Sequence, residues 1–171
     1  MGKVTEVEPR TRREVQPAFE EEFAVRWSDM DANRHVRNTI FSEFATHTRF
    51  RLLEAHGFSQ AMFERLRFGP VMFREEIRFR RELVFGEQVT VNVRAAGLSE
   101  DGSQWRVHQE VARADGKQAA LLTIDGAWID LDSRKLLAPP PELLRLLQDL
   151  PRTEDFEIMR SVLRNSGATP A

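Results

Sequence analysis

Asp29, Asp31, Asn33 and His35 lie close together between Trp27 and Asn38. A carboxylate in such a group can act as general base on water or attack a carbonyl as a nucleophile, while an amide and an imidazole hold water or substrate. The segment that follows has helical periodicity. A helix starting there would present unpaired backbone N–H groups and the positive end of its dipole. Such groups polarise a carbonyl or stabilise an oxyanion without a charged side chain. These parts suit acyl transfer. The same residue types are also the ordinary residues of turns and caps, so composition and spacing leave both readings open. Asp29-x-Asp31 with His35 has donor chemistry that would also suit a metal. No further His or carboxylate cluster completes a ligand set, so no metal is expected. There is no G-x-S-x-G, no P-loop and no D-x-D-x-T.

The elements that must position these residues follow from hydrophobic period. Phe23, Val25 and Trp27 alternate with Glu22, Ala24 and Arg26, which predicts a strand from Glu21. Ser28 to Arg34 is polar and turn-like. Ile40, Phe41, Phe44, Ala45, Thr48, Leu52 and Ala55 recur at three and four residues, predicting a helix over Thr39–His56. Asn38 is its expected N-cap and Gly57 its C′ residue. Phe50 and Leu53 widen its apolar face, so burial on most sides is expected. A shorter helical piece, Ser59–Leu66, ends before Gly69-Pro70. Strands are predicted over Glu76–Arg80, Gln88–Ala95, Gln104–Ala112 and Gln118–Leu131. Trp105, Val107 and Val111 share one face of the third. The fourth is apolar on both faces and belongs in mid-sheet, with Asp125-Gly126 a candidate bulge. Asp115-Gly116 is a hairpin signal. Pro139-Pro140-Pro141 ends the sheet region, and Glu142–Leu150 is a short leucine-rich helix. The last twenty residues carry weak signals, and Asn165 to Ala171 is expected to fray.

The order predicts an α+β domain in which an antiparallel sheet wraps around one long central helix. Residues 1–19 read as a flexible arm, 20–150 as the single domain and 151–171 as a C-terminal extension. Such a sheet has edges to cover, and edge-to-edge pairing of two copies is a natural remedy. The net charge of -2 gives no basic face for nucleic acid. The absence of cysteine removes disulfides, thiolate metal sites and a cysteine nucleophile. Met1 to Glu20 has no apolar run of the kind a secretory signal needs, and no stretch approaches the length of a membrane span. A cytoplasmic protein is the expectation.

Trp27-Ser28-Asp29-Met30-Asp31-Ala32-Asn33-Arg34-His35-Val36-Arg37-Asn38 resembles the signature of the hotdog-fold acyl thioesterases. That signature is an aromatic residue, D-x-D, G-H-V-N-N and then the central helix. The form D-x-N-x-H-V-x-N, here Asp31, Asn33, His35, Val36 and Asn38, is similar to the acyl-ACP thioesterases. Glu76 to Val89, Asp115-Gly116-Lys117 and Pro139-Pro140-Pro141-Glu142 follow in the order of the superfamily, so the resemblance spans Phe23 to Leu147. There are departures. Arg34 stands where glycine is usual, Arg37 replaces the first asparagine of the N-N pair, Phe41 stands where tyrosine is common, and Thr46-His47 replaces an acidic pair.

The resemblance implies the hotdog fold, hydrolysis of acyl thioesters of coenzyme A or acyl carrier protein, no metal or other cofactor, and a site shared in a homodimer or a dimer of dimers. It implies Asp31 as the catalytic carboxylate, with Asn33 and His35 in support. Arg34, Asn38 and Phe41 would bind substrate around the helix start. Arg80 and Arg81, with Arg78, would meet the phosphates of coenzyme A. The alternative for these arginines is a solvated strand face paired with Glu75, Glu76 and Glu82. Asp29 reads as turn chemistry, and His47, Trp105 and Trp128 as core or interface residues. The main rival function is a non-catalytic hotdog protein that binds acyl groups or assists assembly, since a fold does not decide function. The motif does not resemble that of the hotdog dehydratases.

Overall fold

The computed structural model describes residues 18–163. The expected fraying at Asn165–Ala171 and most of the expected arm lie outside them. The elements are β1 (Phe19–Ala24), α1 (Asn38–Ala55), α2 (Gln60–Leu66), β2 (Phe68–Phe79), β3 (Gln88–Ser99), β4 (Gln104–Arg113), β5 (Gln118–Asp130), β6 (Leu136–Leu137), α3 (Pro141–Asp149) and β7 (Arg152–Met159).

Sheet order is β1-β3-β4-β5-β2. The long ladders are antiparallel, and α1 lies against β1, β3, β4 and β5. This is the α+β arrangement expected, with β5 between two neighbours. β4 alternates as its period requires. Trp105, Val107, Gln109 and Val111 are buried, while Arg106, His108 and Glu110 are partly exposed. Ile40, Phe41, Phe44, Ala45 and Leu52 of α1 complete the core with Val89, Val91, Val93, Leu122 and Ile124. No helix among the described residues is long and apolar enough to cross a membrane.

Several boundaries differ from the reading by period, each for a local reason. The first strand ends at Ala24, because the chain turns through a short 3-10 segment over Trp27–Asp29. Trp27 is consequently 74% exposed. Asn38 is the first helical residue and not the N-cap; Arg37 holds the cap position in an extended conformation without a side-chain bond. The N–H of Val36 is bound to Leu83 O (2.9 Å) and that of Arg37 to Asp29 O (2.8 Å), so extended backbone persists to Arg37. At the other end Gly57 has the expected positive φ. Its N–H reaches Glu54 O while that of Phe58 reaches Leu53 O, the bond pair that satisfies the last helical carbonyls. Phe50, expected to widen the buried face, is 37% exposed, so α1 has one open side.

β2 begins at Phe68, earlier than Glu76, because its first half does not alternate. It can contain Pro70 because it lies at the end of the strand order, where one side needs no ladder donors. The irregularity expected within β5 falls on β2 instead. Met72 pairs with Gly126 and Arg74 with Asp125, leaving Phe73 as the extra residue. Gly126 has another reason to be glycine: a Cβ there would lie 2.2 Å from the Trp105 ring and 2.6 Å from Val71 O. Beyond the proline run, Arg152–Met159 forms a strand with little period of its own. It pairs parallel to Ala95–Ser99, above the stretch of β3 that pairs with β1. Contact with β3, and not local pattern, makes it a strand.

Gly126→Ala is expected to lower stability by about 3 kcal/mol, the upper range for overpacking a rigid contact, read as a fall in the midpoint of denaturant unfolding.

Candidate active site

The 25–37 loop is held from both ends. At its start Asp29, almost wholly buried, accepts Arg26 N (2.8 Å) and Arg26 Nε (3.1 Å) on Oδ2, and Arg26 Nη2 (2.8 Å) on Oδ1. Burial alone would raise its pKa. The hydrogen bonds and the charge of Arg26 outweigh that and hold the carboxyl below the ordinary aspartate range. Asp29 therefore acts as a frame for the turn, as expected.

The loop then closes on Asp31. Its Oδ1 accepts the backbone N–H of Asn33 (2.8 Å) and of His35 (3.1 Å). Its own N–H donates to His35 O (2.8 Å), and its carbonyl accepts from Arg34 N (3.1 Å). Oδ2 has no hydrogen-bond partner among the described residues. Closing so small a loop puts Arg34 in the left-handed region, at φ +62°. Glycine takes that conformation without strain and arginine does not, which accounts for glycine being usual at this place in the proteins the motif resembles.

A second segment covers the loop. β2 and β3 are consecutive in the chain but three strands apart in the sheet, about 14 Å at ordinary strand spacing. The connection, residues 80–87, crosses that distance over the motif. Val36 N bonds Leu83 O, Val25 N bonds Glu87 O (2.9 Å) and Gly86 N bonds Val25 O (3.1 Å). Leu83 is fully buried. Phe85 meets the Trp27 ring edge-on at 5.8 Å. Trp27, Met30, Asp31, Arg34, Val84 and Phe85 line a cleft of about 350 Å³.

Asp31 and Arg34 thus share one cleft. Asn33 and His35 meet Asp31 through backbone N–H groups, while the His35 ring turns to Glu82, Nε2 to Oε2 3.0 Å. Glu82 sits in the crossover, and only the fold brings it to the motif. Asn38 is exposed at the start of α1, which has no side-chain cap; the Ile40 N–H turns back to Arg37 O (3.0 Å), and no acceptor among the described residues takes the N–H groups of Asn38 and Thr39. Phe41 is buried, edge-on to Phe79 at 5.1 Å. Arg80 and Arg81 are exposed just past β2; Arg81 Nη1 donates to Gln118 O (2.8 Å). Arg78 pairs with Glu76, Nε to Oε1 2.8 Å, as a solvated strand face would. His47 is exposed, its ring edge against Phe23 at 5.7 Å. No group of three or more His, Asp or Glu among the described residues has metal-binding geometry.

Comparison with known proteins bears on this arrangement. The family model described as the thioesterase-like superfamily matches residues 25–147. No protein of curated function matches the chain by sequence. Among solved structures, a Staphylococcus aureus protein in complex with CoA is 17% identical with TM-score 0.76, covering 94% of this chain and 99% of its own. A 1,4-dihydroxy-2-naphthoyl-CoA thioesterase from Synechocystis is 19% identical with TM-score 0.70, over 78% of this chain and 98% of that one. A DHNA-CoA thioesterase from Staphylococcus aureus is 15% identical with TM-score 0.68, over 75% and 87%. The architecture is the hotdog fold.

Arg34→Gly is expected to raise stability by about 1 kcal/mol through relief of the left-handed arginine, seen as a higher melting temperature. Because Asp29 ionises below its ordinary value near 3.8, its contribution to stability is complete above that pH and is lost as pH falls below it. Asp29→Asn should therefore lower the melting temperature at neutral pH and flatten its decline on the acid side.

Proposed function

This chain belongs to the thioesterase-like superfamily, and we propose that it hydrolyses acyl thioesters with Asp31 as the reactive carboxylate. The observation that carries the reading is Asp31 itself. One of its oxygens is fixed by two backbone N–H groups, the other has no partner among the described residues, and the side chain lines a cleft. As general base it would take a proton from water. The resulting hydroxide attacks the carbonyl carbon, the C–S bond breaks and the thiolate leaves. As nucleophile it would form an acyl anhydride that water then opens. The uncapped start of α1 would polarise the thioester carbonyl. Coenzyme A is favoured over acyl carrier protein, since structural neighbours are named as CoA thioesterases and one was solved with CoA. Arg80 and Arg81, exposed beside the crossover, would meet its phosphates.

The functional unit would be a homodimer or a dimer of dimers. Phe50 of α1 and Met72, Phe73 and Phe79 of β2, the last strand in the order, are exposed apolar residues. A second copy would cover them.

One observation favours a different reading. Two loop N–H groups on one Asp31 oxygen are also what a purely structural turn aspartate makes. The chain would then be a non-catalytic acyl binder. Asp31→Asn separates the two, because the amide oxygen can still accept both N–H groups. With a panel of acyl-CoA and acyl-ACP thioesters, the variant should lose about two to four orders of magnitude in kcat at unchanged melting temperature. Unchanged hydrolysis would overturn Asp31 as catalyst; binding without hydrolysis in the unmodified protein would establish the binder. Sedimentation equilibrium should give at least twice the 19.8 kDa chain mass, and a monomer would overturn the shared site.

A further inference from the structure

Between α1, α2, α3 and the sheet lies a second cavity of about 450 Å³. Its walls are mostly apolar, with Phe63, Val93, Trp128 and Leu147 among them. It lies farther along α1 than the motif. Arg49, on its wall, is eleven residues past Asn38, or about 16 Å at the helical rise. If the thioester sits at the start of α1, as proposed above, this cavity is where the acyl group goes.

Two features set this cavity apart from a plain hydrocarbon slot. The first is Arg49. Its Nη1 donates to Gln109 Oε1 (2.5 Å) and its Nη2 to Thr46 Oγ1 (2.9 Å). Gln109 is fully buried, and its Nε2 donates to Ala45 O (3.0 Å), which orients the amide oxygen toward the guanidinium. A guanidinium has five N–H donors, so donors are left over. No carboxylate among the described residues lies within 4.0 Å of Arg49. Glu75, the acidic group whose charge reaches it, accepts Ser42 Oγ on Oε2 (2.7 Å), while its Oε1 is buried without a hydrogen-bond partner among the described residues. Placing a cation on an apolar wall without a contacting anion is costly unless a ligand completes it. The second feature is Trp105, which is buried and lines the same cavity, and whose Nε1–H has no partner among the described residues. By contrast Trp128 Nε1 donates to Gly102 O (3.1 Å). On this one cavity, therefore, Arg49 has N–H donors beyond the two that Gln109 and Thr46 take, and the Trp105 N–H has no acceptor among the described residues.

We propose that this cavity selects acyl groups whose apolar body carries an oxygen acceptor, bound by Arg49 and the indole N–H of Trp105. Arg49 is then a specificity-determining residue. Gln109 and Thr46 position it, and its uncommitted donors meet the oxygen on a largely apolar wall. The proposal rests on the thioesterase reading for its substrate, but the cavity's preference can be measured without turnover.

The test uses acyl-CoAs of matched length ending in methyl, hydroxyl or carboxylate, in medium and long series. Hydrolysis is followed as kcat/KM, and binding of the corresponding thioether analogues by calorimetry. An oxygenated member should be preferred over its methyl counterpart by roughly ten- to a hundredfold, the range for hydrogen bonds to a charged group. The hydroxyl and carboxylate arms show whether Glu75 tolerates a second anion. Arg49→Met should bring the ratio of kcat/KM for oxygenated over methyl-ended substrates to about one. Arg49→Lys should retain part of the preference, and Trp105→Phe should reduce it. Equal use of all three endings by the unmodified protein, or a ratio unchanged in Arg49→Met, would overturn the proposal. If Arg49→Met does not fold, the preference of the unmodified protein and the Arg49→Lys ratio decide. Absence of any hydrolysis would count against the thioesterase reading alone, and the thioether binding series would still decide the cavity's selectivity.

Discussion

The site depends on one constraint, the passage of the 80–87 connection over the motif loop. β2 completes the sheet beside β5, yet the next strand in the chain belongs beside β1 and β4. The chain must cross the sheet to get there, and it does so by burying Leu83 and pairing its backbone with Val25 and Val36. A crossing segment with unpaired backbone would carry a penalty for each buried N–H and carbonyl. The motif loop supplies those partners, and the crossover in return fixes the loop. Glu82 comes to His35, and Phe85 to Trp27, by the same pairing.

Within that frame the two aspartates have separate tasks. Asp29 is buried and satisfied by Arg26, so its charge is locked into the structure. Asp31 organises its loop with one oxygen and leaves the other toward a cleft. Spacing alone does not distinguish them; burial and the number of donors do. The positive φ of Arg34 goes with the same loop closure, in which the turn from Asp31 is followed by a left-handed residue before the Met30–Val36 bridge and the Asp31 N–H reaches His35 O.

The polar residues of the interior form a second system. Gln109 interrupts an otherwise apolar strand face, and its amide ties the α1 backbone to the sheet while it holds Arg49. A buried polar group that meets its partners makes one arrangement unique. Here that arrangement places a cation on the wall of a largely apolar cavity. The pose of the guanidinium and the fold are linked there, because Gln109, which orients it, also joins helix to sheet.

Much was legible from local pattern. The period of α1, the alternation of β3 and β4, the Asp115-Gly116 hairpin and the glycine after α1 each follow from side-chain spacing or backbone preference, which act over a few residues. The motif from Trp27 to Asn38 pointed to its family before any contact was known. Other features were decided only by tertiary structure. β7 has little period and is a strand because β3 offers it an edge. Phe73 is the extra residue of a bulge opposite Gly126 and Asp125, where the Trp105 ring lies against the Gly126 backbone. Asn38 is helical and Arg37 is the cap because Leu83 and Asp29 take the preceding N–H groups. Arg49 lies within the helical period and gains its partners only from Gln109 of β4 and the cavity beside it. The reason is common to all four. Their conformation is set by partners distant in the chain, and one-dimensional spacing carries no record of which distant partner the fold brings near.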